Sequence, residues 1–440
     1  MPVLKAAKGT RDISGSELAS RAVVIARLTR VFQLHGGQPL ETPAFERRDL
    51  LLDKYGDNAK LVYDLADQGG ESLALRYDLT VPFARHVAQR GAGVLRGFQV
   101  GRVWRRDQPQ PSKGRYREFS QADFDIAGVA SILADVEVVS VLSTGLSSLD
   151  VPVDIRVNHR SLLQAVMNAS NVPAHLFKET CSSVDKMDKL SWDEVRAELI
   201  AKGLSRDSCE TLRAYVTLKG APKDLLSKLE QRLPYDASEL KSFFGHLEAA
   251  GISATLDLGI ARGLDYYTGV IFEAIPRAGG PSVAAGGRYD NLIGSLGNFA
   301  SPAVGVSFGV DRLVPLVQSQ VVHGPTAYVV SAGLGVSVQD RMRLATELRE
   351  NGVTALYTLK DSPSLTHQLQ QATQAGAALA VIIGAEELRT HKVTIKDLNE
   401  GTQWGTCRTM VVDACLNKQI VKSHDSGCAG NFPEQVWYKA

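Results

Sequence analysis

At the start of the chain, Leu18, Val24, Ile25, Leu28, Val31 and Phe32 recur at helical spacing, and Gly36-Gly37 ends the run. From Gln38 to about Asp150, short β-like runs alternate with helical ones. The pattern predicts helices over 81–89, opened by Thr80 with Pro82 in the first turn, and over 132–142. Between about 161 and 250 the texture changes to Leu, Lys, Glu and Ser with few β-branched runs, the pattern of several amphipathic helices. Alternating runs at 255–260 and 270–275 restore strand character and flank Ala261-Arg262-Gly263-Leu264-Asp265. The helical block therefore reads as an insertion in one β-containing domain, and a free-standing domain fits equally well. A boundary falls near 318–325. Beyond it, strands at 327–331, 354–356 and 378–383 alternate with helices at 338–350 and 364–375, which predicts a small α/β domain with a largely parallel sheet. The tail, 418–440, carries no clear pattern.

The segment 102–125 stands out chemically. Phe98, Val100 and Val103-Trp104 form an apolar-rich strand ending at Arg105-Arg106-Asp107. Two prolines and Gly114 then forbid a ladder over 108–114, so a mobile loop is expected there. In the returning strand, period two puts Arg115, Arg117, Phe119, Gln121, Asp123 and Asp125 on one face, opposite Tyr116, Ala122, Phe124 and Ile126. That row suits a molecule carrying phosphates, a flat ring and an ammonium in order: Arg forks for phosphate, Phe for stacking, amide and carboxylates for N–H donors. A solvated face laced with cross-strand ion pairs explains the row equally well.

Composition sets outer limits. At 440 residues, two or three domains are expected. With 49 Lys and Arg against 48 Asp and Glu, the formal charge of +1 argues against a dedicated basic nucleic-acid binder but leaves room for local basic surfaces. The five cysteines show no C-x-x-C pair, which argues against a zinc site or disulfide framework. No apolar run reaches membrane-spanning length, and the first residues lack signal or transit character, so no membrane association and a cytoplasmic location are expected, with a mitochondrial form as the alternative.

Several motifs carry a family resemblance. Gly101-Arg102-Val103-Trp104-Arg105-Arg106-Asp107, with Arg115-Tyr116-Arg117-Glu118-Phe119, resembles motif 2 of class II aminoacyl-tRNA synthetases. Arg262-Gly263-Leu264-Asp265-Tyr266-Tyr267-Thr268-Gly269 resembles the signature peculiar to histidyl-tRNA synthetases, and Ala285-Gly286-Gly287-Arg288-Tyr289-Asp290 resembles their second pocket signature. Gly305 to Leu313 resembles motif 3. Lys8-Gly9-Thr10-Arg11-Asp12 and Thr42-Pro43-Ala44-Phe45-Glu46 resemble the family's opening and motif 1 regions. No Gly-Lys pair occurs, so a Walker-type loop is excluded.

The resemblance implies an α+β chain: a class II catalytic domain over 1–322 built on an antiparallel sheet with flanking helices and the helical insertion, then an α/β anticodon-binding domain over 325–440. It implies a histidine–tRNA ligase that makes histidyl-adenylate from ATP, with Mg2+, and passes histidine to the terminal ribose of tRNA(His). Arg262 and Arg105 would be catalytic. ATP would meet Arg105, Arg115, Phe119 and Arg312. Histidine would meet Asp78, Thr80 and Gln121 through its ammonium and Asp125 and Tyr267 through its ring, with Tyr289 nearby and Tyr266 in the same histidine-binding set. Asp78 also reads as part of a helix N-terminus, with Thr80 as a possible cap. Aspartate at Asp78 and Asp125 resembles the eukaryotic-type members. A homodimer around motif 1 and Pro43 is implied, with 108–114 approaching the acceptor end; Arg389, His391, Lys392 and Lys396 form a modest basic patch in the last domain. Two alternatives are weighed: a non-catalytic, histidine-sensing regulatory paralogue, disfavoured by the retained arginines, and a class II synthetase for another amino acid, disfavoured by the Arg262 signature.

Overall fold

The structure is a computed structural model that describes residues 4–52, 56–66, 69–91, 93–261, 266–317 and 326–417. The chain divides into two compact units, Met1–Gln320 and Val321–Ala440.

The first unit is organised by a large sheet. In chain order its strands are β1 (Gln38–Pro39), β2 (Phe45–Arg47), β3 (Leu73–Leu75), β4 (Leu95–Trp104), β5 (Glu118–Ala127), β6 (Val153–His159), β7 (Lys219–Gly220), β8 (Thr255–Asp257), β9 (Val270–Pro276), β10 (Ala284–Arg288) and β11 (Ala303–Gly309). Nine of these pair in the order β1-β4-β5-β11-β10-β9-β6-β8-β7, and β2 pairs separately with β3. All neighbours from β4 to β6 are antiparallel, and the parallel pairs β1–β4 and β6–β8 lie towards the two ends. The mainly antiparallel sheet with flanking helices expected from the sequence is thus what forms.

One face of this sheet is covered by the first helix, Gly15–Leu34, which buries Val24, Leu28, Val31 and Phe32. The Phe32 ring lies 5.5 Å from Phe98 on β4, 5.7 Å from Phe124 on β5 and 5.7 Å from Phe308 on β11. Burying one such ring contributes roughly 1.5–3 kcal/mol. This aromatic anchor commits the Ala122, Phe124 and Ile126 face of β5 to the core and leaves the opposite face available for chemistry.

The insertion is helical, from Arg160–Ala169 through Ser238–Ala249. Leu163, Cys181, Leu199, Leu212, Leu226 and Phe243 belong to the same apolar cluster as Val157, Leu256 and Phe272 of the sheet. A free-standing helical domain would bury its own separate cluster; here one core runs through both, so the block is an integral insertion.

The second unit has five strands: β12 (Ala327–Ala332), β13 (Ala355–Tyr357), β14 (Leu379–Gly384), β15 (Lys392–Asp397) and β16 (Gln403–Cys407). Their order is β13-β12-β14-β15-β16. The first three are parallel, joined by helices Val338–Glu350 and Leu365–Gln374, as the alternation predicts. β15 runs antiparallel to β14, to which the short helix Ala385–Thr390 connects it, and antiparallel to β16, to which it is joined by a short turn at Asn399 and Glu400 that cannot make a crossover. The sheet is therefore mixed rather than largely parallel. In the basic patch, Arg389 is tied to Glu386 at 2.6 Å on its own helix, which reduces the net charge there.

Candidate active site

The site grows from the outer face of β5. Gln121, Asp123 and Asp125 alternate along it and are all buried, as period two requires. On β4 their register partners are Gly101, Gln99 and Gly97; on β11 they are Gly309, Ser307 and Gly305. Gly305 leaves room for a neighbour's carboxylate. A Cβ there would overlap Asp125 Oδ1 and lie 2.7 Å from its Cγ. Arg115 and Arg117 precede the strand rather than extend it. Arg117 turns back to donate to Asp107 O at 3.1 Å, so it leaves the expected row. Tyr116 also departs from expectation. It lies under Arg11 at 4.4 Å and faces the cavity instead of the core, because the ladder begins only at Glu118.

Two cavities adjoin on this face, of about 320 and 210 Å³. Arg105, Gln121, Tyr266, Tyr267, Ala285 and Ser307 line both, forming the shared wall.

The larger cavity holds the cations. Arg105 leaves the end of β4, donates from Nε to Tyr77 O at 3.1 Å, and lies over the rings of Tyr77 at 4.2 Å and Phe119 at 5.1 Å. Those two rings fix the direction of the guanidinium. Arg115 faces Asp107 at 3.3 Å. Arg312 follows the end of β11 and donates to Ser282 O at 2.7 Å. Its neighbour Asp311 accepts from Ser120 N at 2.7 Å, which locks that turn to the start of β5. Phe119 and Arg312 thus line the same cavity, as a flat ring between them would need. The loop expected to be mobile is closed: Gln110 and Arg115 exchange backbone hydrogen bonds at 2.9 and 3.1 Å around a turn at Pro111–Lys113, with Gly114 at φ 63°.

The smaller cavity is anionic and aromatic. Asp78, Thr80, Gln121, Asp125, Tyr266, Tyr267 and Tyr289 all line it. Asp78 accepts from Val81 N at 3.0 Å, so this carboxylate, rather than Thr80, supplies the side-chain cap for helix Thr80–Arg90. Gln99 donates to Leu79 O at 2.8 Å and accepts from Thr42 at 2.9 Å, holding that turn against the sheet. Tyr289 donates to Asp125 Oδ1 at 2.5 Å. Burial, opposed by the Tyr289 bond and reinforced by Asp78, pushes the Asp125 carboxyl up to about 7. Burial first, then the Asp125 charge, pushes Tyr289 well up, so its hydroxyl remains a donor. Tyr266 lies edge-on to Tyr267 at 4.7 Å and to Tyr289 at 6.3 Å. Buried Arg288 holds the end of β10, and so Tyr289, in place: it pairs with fully buried Asp135 and reaches Asp290 Oδ1 at 3.0 Å.

Arg262 lies outside the described residues, between buried Ala261 and Tyr266, which lines both cavities. The other expected site residues are brought together around the two cavities. Sequence reasoning missed Ser307, Tyr77 and the structural use of Asp123. Ser307 was hidden inside motif 3, where only its register opposite Asp123 reveals that it faces the site.

Among known proteins, the family model "Histidyl-tRNA synthetase" matches residues 9–313, and "Anticodon binding domain" matches 327–418. The cytoplasmic histidine–tRNA ligase of Dictyostelium discoideum is 38% identical over 91% of this chain and 88% of its own. That of Arabidopsis thaliana is 41% identical over 91% of this chain and 47% of its own, so the chain spans about half of that longer relative. Relatives named mitochondrial also occur. The crystal structure of histidyl-tRNA synthetase from Nostoc sp. PCC 7120 superposes with a TM-score of 0.78 at 26% identity, covering 94% of this chain and 99% of that one.

Proposed function

The chain belongs to the histidyl-tRNA synthetase family and is a histidine–tRNA ligase of class II fold, and on that premise we propose how its own residues divide the reaction. Aminoacyl-tRNA ligases draw on ATP as a substrate. In the first step a histidine carboxylate oxygen attacks the α-phosphorus, the bond to the bridging oxygen breaks, and pyrophosphate leaves. In the second, the terminal ribose hydroxyl of tRNA(His) attacks the carbonyl carbon of histidyl-adenylate, and AMP leaves. Negative charge accumulates around phosphorus in the first step, so fixed cations should dominate catalysis.

One observation carries the reading: an arginine-lined cavity and a carboxylate-lined cavity share a wall, and Arg105 stands in it. Arg105 suits the point where the histidine carboxylate meets the α-phosphate. Arg115 suits the outer phosphates. Phe119 and Arg312 suit the two faces of adenine. Asp78, Thr80 and Gln121 suit the α-ammonium; Gln121 Oε1 is buried with no hydrogen-bond partner, an acceptor waiting for a donor. Asp125 and Tyr289, with Tyr266 and Tyr267, suit the imidazole. Arg262, carried over from the signature, is assigned to the α-phosphate with Arg105. A regulatory paralogue without chemistry would have no use for this cationic cavity, which disfavours that alternative.

Magnesium is typical of the family, and it would offset charge on the triphosphate when bound. Among the described residues no group of three or more His, Cys, Asp or Glu is gathered for a metal, and Asp107 is engaged by Arg115. Those donors fit an ion carried on phosphates and waters. The loop 108–114 is assigned to the acceptor end of tRNA and the second unit to the anticodon. Assembly as a homodimer around 42–47, with Pro43 at the contact, is favoured by the exposed Phe45 ring beside it, and sedimentation would test it. No helix among the described residues is long and apolar enough to cross a membrane, and cytoplasmic action, with a mitochondrial form as alternative, follows the relatives' names.

A crystal structure with histidine and a non-hydrolysable ATP analogue tests the division. Imidazole against Asp125 and Tyr289, with adenine between Phe119 and Arg312, is expected. The two ligands exchanged between cavities would overturn it.

A further inference from the structure

Asp123 lines neither cavity and touches no expected substrate atom, yet it is 1% exposed and central on β5. Its Oδ1 accepts from Ser307 Oγ at 2.5 Å, and Ser307 Oγ accepts from Gln121 Nε2 at 2.5 Å. A hydroxyl has one proton. If Ser307 gives it to Asp123, only lone pairs remain towards Gln121, so Gln121 must turn its NH2 to Ser307 and its oxygen the other way. That oxygen is the buried, unbonded Oε1.

We propose that Asp123 is a positioning residue which, through the single proton of Ser307, fixes the amide of Gln121 so that the cavity meets an acceptor and not an NH2 group. The inference rests on the assignment of Gln121 to the α-ammonium of histidine. An amide is close to symmetric in shape, so packing alone cannot choose which end faces the ligand. A flipped Gln121 would aim two N–H donors at an ammonium, replacing an attraction with a repulsion. Asp123, as a carboxylate, is acceptor-only and breaks that symmetry. Burial and the nearby Asp125 push the Asp123 carboxyl up, while the hydrogen bond from Ser307 and the charge of Arg105 oppose that rise; an arriving cation adds to this opposition and so favours the ionised, accepting form.

The test compares histidine with 3-(imidazol-4-yl)propionate, which is histidine without its ammonium, in pyrophosphate exchange and its inhibition. Asp123→Leu keeps the branched outline of the side chain, with more bulk, and removes the acceptor, freeing the Ser307 proton to capture Gln121 Oε1. The KM for histidine should rise roughly tenfold, kcat should change little, and inhibition by the propionate should be nearly unchanged, so the discrimination between the two collapses. Ser307→Ala, a smaller change, should do the same. Adding Gln121→Glu to Asp123→Leu presents an oxygen in either orientation and should restore the KM, which a merely structural role would not allow. Asp123→Leu and Ser307→Ala that both keep wild-type discrimination, while Gln121→Ala loses it, would overturn the relay and leave the Gln121 assignment standing. Unchanged discrimination in Gln121→Ala would overturn both.

Discussion

Gly305→Ala should damage histidine recognition while sparing ATP. The added methyl would overlap Asp125 Oδ1 and sit 2.7 Å from Cγ, where ordinary contact begins near 3.4 Å. It cannot retreat, because Phe124 O stands 3.3 Å away. The carboxyl carbon must therefore move by at least about 0.7 Å, the difference between those two distances, and the overlapping Oδ1 by more. The bond from Tyr289, 2.5 Å long and fully buried, would stretch past 3 Å. A buried partner left unsatisfied costs about 1–3 kcal/mol, and the gain from replacing glycine returns about 0.4–1 kcal/mol. A net loss of about 1–2 kcal/mol lowers Tm by only a few degrees in a unit of this size. Histidine binding loses a correctly placed charged acceptor, which corresponds to roughly a tenfold to hundredfold rise in KM. Gly305 lines the smaller cavity and not the larger, so the KM for ATP should stay within about threefold. Histidine titration in pyrophosphate exchange, with thermal melting of the same sample, measures all three quantities. A folded variant with unchanged KM for histidine would refute the placement of the imidazole at Asp125.

Two further predictions follow from the charges. Arg262→His should leave the circular dichroism spectrum and Tm close to wild type yet reduce single-turnover adenylate formation by about 100-fold or more; unchanged adenylation would remove Arg262 from catalysis. The Asp125 carboxyl titrates near 7 in the folded protein against 3.8 ordinarily. Its contribution to stability is thus fully present below pH 3.8 and is lost as pH rises through 7. Ligand-free protein should melt at lower temperature at pH 8 than at pH 6, and Asp125→Asn should flatten that slope, which thermal melts across the range would reveal. A slope unchanged in the variant would contradict the burial of an ionisable carboxyl there.

Much of this is legible in the sequence alone. Period two alone separates Gln121, Asp123 and Asp125 from Phe124 and Ile126, because a strand beside a core has only two faces. Periodicity could not see that the row breaks before Glu118. Arg117 and Tyr116 leave the pattern because the backbone there turns to close the Gln110–Arg115 bridge. Nor could spacing tell that Asp78 rather than Thr80 caps its helix, since both residue types cap well and only the φ and ψ of Leu79 decide. The insertion's attachment was open because amphipathic helices can bury their faces on each other or on a sheet. Ser307 was invisible for a different reason: its role depends on register between β5 and β11, segments far apart in sequence.

The central claim is that the smaller cavity selects histidine and presents it to ATP across Arg105. Pyrophosphate exchange run with each proteinogenic amino acid in turn tests it most directly. Exchange that depends on histidine, with the other amino acids at background, is the predicted result. Exchange supported by another amino acid, or by none, would contradict the account.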